Sequence, residues 1–306
     1  MNPFTYEPSI TEIRLDLRSS QRRYDLFDAS FTSAALPRLI GTANVPGEYY
    51  LPRISGKVPL LILLHGMGDT SLVPPRALAR YLAAKNVACF IPRLVVHSTR
   101  TPKLGDRSYS LSLDEWFDAY RASVIEVRQI VDWAQTRPEI NRSKIAVLGI
   151  SFGAFVAALA LGVEKRLSAG ILIECGGNSI KINKLSRAMR SRYPGPALDH
   201  EKLLSEYSNY LTDVADNGIE AVEPPQRAFL TDPLTYAASI KKRPLLMINA
   251  LGDELIPRQA ALDLWKATGR QKIIWLPGTH VTLWIWYPEI RRRITNFLKS
   301  VFGNVK

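Results

Sequence analysis

Cysteine and histidine are scarce in this chain, and long apolar runs are missing. Cys89 and Cys175 are the two cysteines among 306 residues. They cannot build a disulfide framework, and each lies beside an apolar, strand-like stretch, which predicts buried free thiols of the kind kept in a reducing cytoplasm. The four histidines are scattered, so no zinc-type ligand spacing arises and no metal is expected. A phosphate-binding P-loop, internal repeats and low-complexity tracts are also missing. The stretch Met1–Pro8 has neither a basic start nor an apolar core, and no later run approaches the roughly 20 apolar residues of a membrane span. Neither export nor a transmembrane segment is expected.

Acidic residues are the minority charge: 28 Asp and Glu face 40 Lys and Arg, for a net charge of +12. An excess of this size affects solubility and non-specific attraction, but does not identify a function. The basic clusters at Lys181–Arg192 and Arg291–Arg293 have no helix-turn-helix, zinc-finger spacing or aromatic RNA-binding signature beside them. They predict a solvated basic face rather than a specific nucleic-acid site. At 46% hydrophobic residues, the chain can bury a substantial core.

What the chain does contain is an alternation of short apolar runs and helical patterns. Val58–Leu64 is almost continuously apolar, as a central strand buried on both faces requires. Further strands are expected at Val87–Ile91, Ile145–Leu148, Ser168–Ile173, Pro244–Leu251 and Lys272–Leu276. A capping box at Ser112-Leu-Asp-Glu115 opens a long helix in which Trp116, Tyr120, Val124, Val127 and Val131 recur at helical spacing. Trp116 and Trp133 are expected to pack the core rather than contact a ligand. The alternation predicts a parallel sheet with right-handed crossovers, whose functional groups gather at the C-terminal strand ends. The first fifty residues read as peripheral strands and loops, with an edge strand around Gly47–Leu51. Between Asn178 and Lys242, charged helical segments alternate with Pro194-Gly-Pro196 and Pro224-Pro225, too long a stretch for a simple connection. A helical lid over 178–242 is therefore expected, inserted in a core formed by 1–177 and 243–306.

The chemistry centres on Gly149-Ile150-Ser151-Phe152-Gly153, between the strand ending at Leu148 and an alanine-rich helical pattern. A serine on so tight a strand-to-helix turn needs small residues two positions away on both sides, and glycine occupies both. Such a turn lifts the Ser151 hydroxyl above the sheet edge at the positive end of a helix and places the Phe152 N–H to bind an oxyanion. By itself the string is also compatible with an ordinary turn. A serine nucleophile needs a base, and the base needs a carboxylate to set its tautomer. His65 belongs to the turn His65-Gly66-Met67-Gly68-Asp69, whose exposed N–H groups suit a second oxyanion donor; His97 lies in an upstream loop and His200 in the lid. His280, just past a late strand, is the candidate base. Asp253, just past Leu245–Ala250, is the candidate acid, with Glu254 offset by one residue and expected to point elsewhere.

With these residues in place, the chain from about Val58 to Phe302 resembles the α/β-hydrolase superfamily. The resemblance rests on His65-Gly-Met-Gly68, Gly149-Ile-Ser-Phe-Gly153, Gly252-Asp253 and Gly278-Thr-His280, in the order Ser, Asp, His. It is most similar to the dienelactone-hydrolase and acetyl-esterase-like branch, although dienelactone hydrolases themselves use cysteine where Ser151 stands. The resemblance implies an α/β fold with a mostly parallel central sheet flanked by helices. It also implies a serine esterase in which His280 activates Ser151, the Met67 and Phe152 N–H groups hold the oxyanion, and no cofactor is needed. The partner is then a small-molecule ester. A peptidase or amidase on the same core is the alternative enzyme, and a binding protein that had lost its triad or an anion binder are the non-enzymatic ones. Leu283-Trp-Ile-Trp-Tyr287 either packs the last helix onto the sheet or lines the cleft.

Overall fold

The computed structural model describes residues 2–7, 11–35, 43–68, 71–95, 100, 111–192 and 197–303. Among them, nine strands form one sheet in the order β1-β2-β3-β5-β4-β6-β7-β8-β9. The strands are β1 (Arg14–Ser20), β2 (Tyr24–Thr32), β3 (Asn44–Pro52), β4 (Val58–Leu64), β5 (Ala88–Pro92), β6 (Ile140–Ile150), β7 (Ala169–Ile173), β8 (Leu245–Ala250) and β9 (Lys272–Leu276). From β5 to β9 all neighbouring strands pair in parallel, while β1, β2 and β3 add an antiparallel flank. The unbroken apolar sequence of β4 follows from its place between β5 and β6, where every one of its residues is buried.

The stretch Gly47–Leu51 differs from the edge strand its sequence suggested. It lies in β3, paired by β2 on one side and β5 on the other, and the edge is the largely exposed β1. The reason is that Tyr49 and Tyr50 are both buried, one in each of the two cores that sandwich the sheet. Gly47 allows the close approach to β5, since a Cβ there would stand 2.9 Å from the Ile91 carbonyl oxygen. β3 also carries a buried carboxylate, Glu48, which accepts hydrogen bonds from Arg18 of β1, from the Tyr50 hydroxyl, and from Arg76. Burial alone would raise the Glu48 pKa, but the Arg76, Tyr50 and Arg18 hydrogen bonds win and hold it at about 2.

Helices cover both faces. α1 (Val73–Ala83), which carries Arg76, packs on one face with the C-terminal helix α9 (Tyr287–Phe302). On the other lie α2 (Leu113–Thr136), α3 (Phe152–Val163) and α8 (Arg258–Ala267). The Ser112 capping box is formed, with the Ser112 hydroxyl accepting from the Glu115 N–H and the Glu115 carboxylate accepting from the Ser112 N–H. Both cysteines are buried free thiols.

The segment between β7 and β8 contains α4 (Ser179–Leu185), α5 (Arg187–Arg192), α6 (His200–Asn217), two short 3-10 turns and α7 (Ala237–Ile240). Its own cluster of Ile180, Tyr207, Tyr210 and Phe229 holds it together. Its two ends meet at Asp232, whose carboxylate accepts the backbone N–H groups of Asn178 and Ser179. Contacts to the rest of the chain run from the Ser186 hydroxyl to the Glu254 carbonyl and from Arg227 to the Phe117 ring. Pro194, Gly195 and Pro196 lie outside the described residues. No helix among the described residues is long and apolar enough to cross a membrane.

Candidate active site

Ser151 sits between the last residue of β6 and the first of α3, with φ 52° and ψ −119°. This left-handed conformation is unfavourable for a side-chain-bearing residue, and the packing around it enforces it. A Cβ on Gly149 would lie 2.0 Å from the Gly153 carbonyl oxygen in the first turn of α3. One on Gly153 would lie 2.5 Å from the carbonyl oxygens of Leu64 and His65, at the end of β4. The two glycines thus bring helix, strand and turn together, and the Ser151 N–H is tied to the Ile173 carbonyl at 2.8 Å.

Three loops at the C-terminal strand ends converge here. His280, after β9, places Nε2 2.8 Å from Ser151 Oγ. Asp253, after β8, places its carboxylate oxygens 2.9 and 3.0 Å from His280 Nδ1. Oδ1 of Asp253 also accepts the backbone N–H groups of Leu255 and Ile256, at 3.0 and 2.8 Å. A carboxylate so engaged keeps the ring proton on Nδ1 and leaves the Nε2 lone pair facing the serine hydroxyl. Burial alone would lower the His280 pKa; the Asp253 hydrogen bond and the charges of Glu174, Asp253 and Glu254 outweigh it and leave the pKa above its ordinary value. Such an arrangement can deprotonate a hydroxyl and carry the proton on a stabilised imidazolium.

Glu254 does not point away from the site. Its Oε2 accepts the backbone N–H of His280 at 3.0 Å, so the two neighbouring carboxylates divide the work of holding one histidine, Asp253 at the ring and Glu254 at the backbone.

Glu174 also joins the site, a place that the sequence analysis did not assign to it. It follows β7 with φ 57°, and its Oε2 lies 3.8 Å from His280 Nε2. Its side chain is 1% exposed, and Oε1 has no hydrogen-bond partner. Burial pushes its pKa up to about 8, partly opposed by His280 and reinforced by Asp253 and Glu254. The available signal was a charged residue directly after an apolar strand at the functional end of the sheet. Ligand-type atoms of Glu174, Asp253 and His280 lie within 4.8 Å of one another, although linear spacing showed no metal-ligand pattern.

His65 and His200 make hydrogen bonds outside this group. His65 is buried, its Nε2 accepting the Leu94 N–H at 3.0 Å and its Nδ1 3.0 Å from the Gly66 carbonyl oxygen. His200, at the start of α6, has Nε2 2.8 Å from Asn183 Oδ1. His97 and Asp69 lie outside the described residues.

Ser151 opens on a cavity of about 630 Å³. Met67 and Phe152 line it beside the serine, and α2, α3, the 178–242 segment and the loop after Asp253 supply Trp116 and Tyr120, Phe155, Met189, and Leu255 respectively. Trp116 packs against the core as expected and also lines the cavity, its ring 6.0 Å from that of Phe152, next to the serine. Trp133 does pack the core, edge-on to Tyr49 at 5.1 Å. No residue of Leu283–Tyr287 lines the cavity; Leu283 is buried under the sheet, while Ile285 and Trp286 face outward.

Comparison with known proteins agrees with this architecture. The chain is 24% identical over 296 residues to an uncharacterized protein of Mycobacterium tuberculosis, covering 90% of this chain but 65% of that relative's length. It is 24% identical over 250 residues to the esterase YjfP of Escherichia coli, covering 78% of this chain and 84% of the relative. The fold matches that of acetyl xylan esterase 1 from Thermoanaerobacterium with a TM-score of 0.66 and 16% identity, over 95% of this chain and 88% of the other. Residues 61–290, three quarters of the sequence and every residue of the site, match the model of one family, and the chain belongs to that family, the alpha/beta hydrolases.

Proposed function

We propose that this hydrolase-family protein is a serine carboxylic-ester hydrolase that works through a Ser151–His280–Asp253 triad and an acyl-enzyme. The observation that carries the reading is the Ser151 Oγ to His280 Nε2 contact of 2.8 Å, backed by Asp253 on Nδ1, at the floor of an apolar cavity. His280 takes the Ser151 proton as Oγ attacks the ester carbonyl. The oxyanion is held by the backbone N–H groups of Met67 and Phe152. His280 then protonates the leaving alcohol, and water activated by the same nitrogen releases the acid.

The cavity supports a substrate class. No carboxylate lines it among the described residues, Arg190 is a cation in its lining, and its wall beside the nucleophile is aromatic; this supports esters with an apolar group and no positive charge, and we take the uncharged ones as the substrate class. A volume of about 630 Å³ accommodates small to medium esters. A peptidase of free-amine substrates would need an acidic anchor, which the described lining does not supply.

A panel of p-nitrophenyl esters of increasing acyl length tests this, with a serine-directed phosphonate as label. Hydrolysis with kcat/KM falling for long chains, and a phosphonate adduct mapped to Ser151, are expected. A preference for acyl chains beyond about twelve carbons with activation at an oil–water interface would instead indicate an interfacial lipase. Faster cleavage of peptide amides than of matched esters would reject the ester-hydrolase reading.

A further inference from the structure

His280 Nε2 faces two oxygens, Ser151 Oγ at 2.8 Å and Glu174 Oε2 at 3.8 Å. The Glu174 side chain is 1% exposed, and its second oxygen has no hydrogen-bond partner. A buried carboxyl oxygen without a donor is uncommon in a folded protein and points to a ligand that would satisfy it. On the far side of the imidazole, Asp253 holds the Nδ1 proton at 2.9 Å. A carboxylate in that place orients metal-ligating histidines and makes the opposite nitrogen a better donor to a cation.

We propose that Glu174 and His280, with Ser151 beside them, bind a transition-metal dication of the zinc type, and that its binding switches the hydrolase off. Glu174, through both carboxylate oxygens so that Oε1 gains a partner as well, and His280 Nε2 are the protein donors, Ser151 Oγ or water completes the set, and Asp253 fixes the ring from behind. With metal–ligand bonds of about 2.0–2.1 Å, two donors at the tetrahedral angle stand roughly 3.3 Å apart. The observed 3.8 Å closes to that value with a shift of about half an ångström, within reach of a small χ rotation of Glu174. An imidazole nitrogen paired with a carboxylate suits Zn²⁺, Cu²⁺, Ni²⁺ and Co²⁺, whereas Mg²⁺ and Ca²⁺ favour sets of oxygen ligands. The route in is the substrate's own, because Ser151 opens on the cavity. Inhibition follows from electron-pair accounting: a metal on Nε2 occupies the lone pair that must accept the serine proton. The loss of activity rests on the proposed esterase reading, whereas binding does not.

The test therefore has two arms, both on tag-free protein. In the first, wild type and Glu174→Gln are titrated with CoCl2 while the visible d–d absorption is followed, with His280→Ala as a second variant. A cobalt spectrum in wild type that weakens at least about tenfold in both variants is expected. A spectrum that is absent, or the same in all three proteins, overturns the site. In the second arm, ester hydrolysis is measured against ZnCl2 and MgCl2. Zinc should inhibit where magnesium does not, with half-inhibition at least about tenfold higher in Glu174→Gln than in wild type. Equal zinc sensitivity of the two proteins, or equal inhibition by both metals, also overturns the proposal. If no ester is turned over, the cobalt arm decides alone, and a Glu174-dependent spectrum supports the metal site while the esterase reading fails.

Discussion

Replacing Asp253 with asparagine is a sharp test of the site, because the structure dictates which way the new amide must face. Oδ1 accepts two backbone N–H groups, from Leu255 at 3.0 Å and Ile256 at 2.8 Å, while Oδ2 lies against His280 Nδ1 at 2.9 Å. An asparagine that turned its NH2 toward the two backbone donors would leave both unsatisfied, at about 1–3 kcal/mol each. The amide oxygen therefore takes the Oδ1 position, and the NH2 faces Nδ1. Opposed by a donor, Nδ1 becomes the acceptor and the ring proton moves to Nε2, the nitrogen 2.8 Å from Ser151 Oγ. A protonated Nε2 cannot take the serine proton. A fall of about 10⁴ in kcat is expected, the size seen when a triad histidine is trapped in the wrong tautomer. That fall corresponds to roughly 5.4 kcal/mol of barrier. Since both backbone hydrogen bonds survive, stability should change by less than about 1 kcal/mol, or roughly 2–4 °C in Tm. Initial rates on p-nitrophenyl acetate and a thermal melt measure the two quantities together. A folded Asp253→Asn enzyme within about tenfold of wild-type kcat would refute the reasoning.

Glu254→Gln should cost less than about tenfold in the same assay, because an amide oxygen can still accept the His280 backbone N–H; a larger loss than that of Asp253→Asn would transfer the acid role to Glu254. Ser151→Ala and His280→Ala should each remove turnover by several orders of magnitude, while His200→Ala, whose ring meets Asn183, keeps most of it; near-wild-type rates in a folded Ser151→Ala would sink the nucleophile assignment. Gly153→Ala should lower stability by at least about 2–3 kcal/mol in urea unfolding, since its Cβ would press on backbone oxygens at 2.5 Å that cannot move singly, and an unchanged midpoint would contradict the packing account. For Glu48, whose pKa is held down from 4.5 to about 2, the carboxylate stabilises the fold above the unfolded value and loses that contribution as pH falls from 4.5 toward 2. Glu48→Gln should therefore destabilise by about 2–3 kcal/mol at pH 7, with the difference from wild type shrinking toward pH 2; a gap that stayed constant with pH would show that charge is not the cause.

Local pattern alone placed β4 to β9 and the turn that carries Ser151. β4 is legible because a strand buried on both faces must be apolar at every position, and the turn is legible because glycine two residues before and after a serine answers a steric demand within a few residues of chain. Chain order likewise pointed to His280 and Asp253, since residues just past parallel strands share one sheet edge whatever the details of packing. What sequence could not decide was which side chains meet across that edge. Glu174 follows β7 as Asp253 follows β8, and no local rule separates a carboxylate at the imidazole Nδ1 from one beside Nε2; the strand order and the positive φ of Glu174 do. Glu254, one residue from Asp253, reaches the His280 backbone because the loop carries its side chain back toward the histidine, where simple alternation had sent it away. Trp116 has the helical spacing of a core residue, yet it lines a cavity to which residues of the 178–242 segment also contribute. β3 became an interior strand once β5, about forty residues on, paired with it. Each of these outcomes depends on contacts between residues far apart in the chain, and such contacts leave no periodicity in the sequence on either side of them.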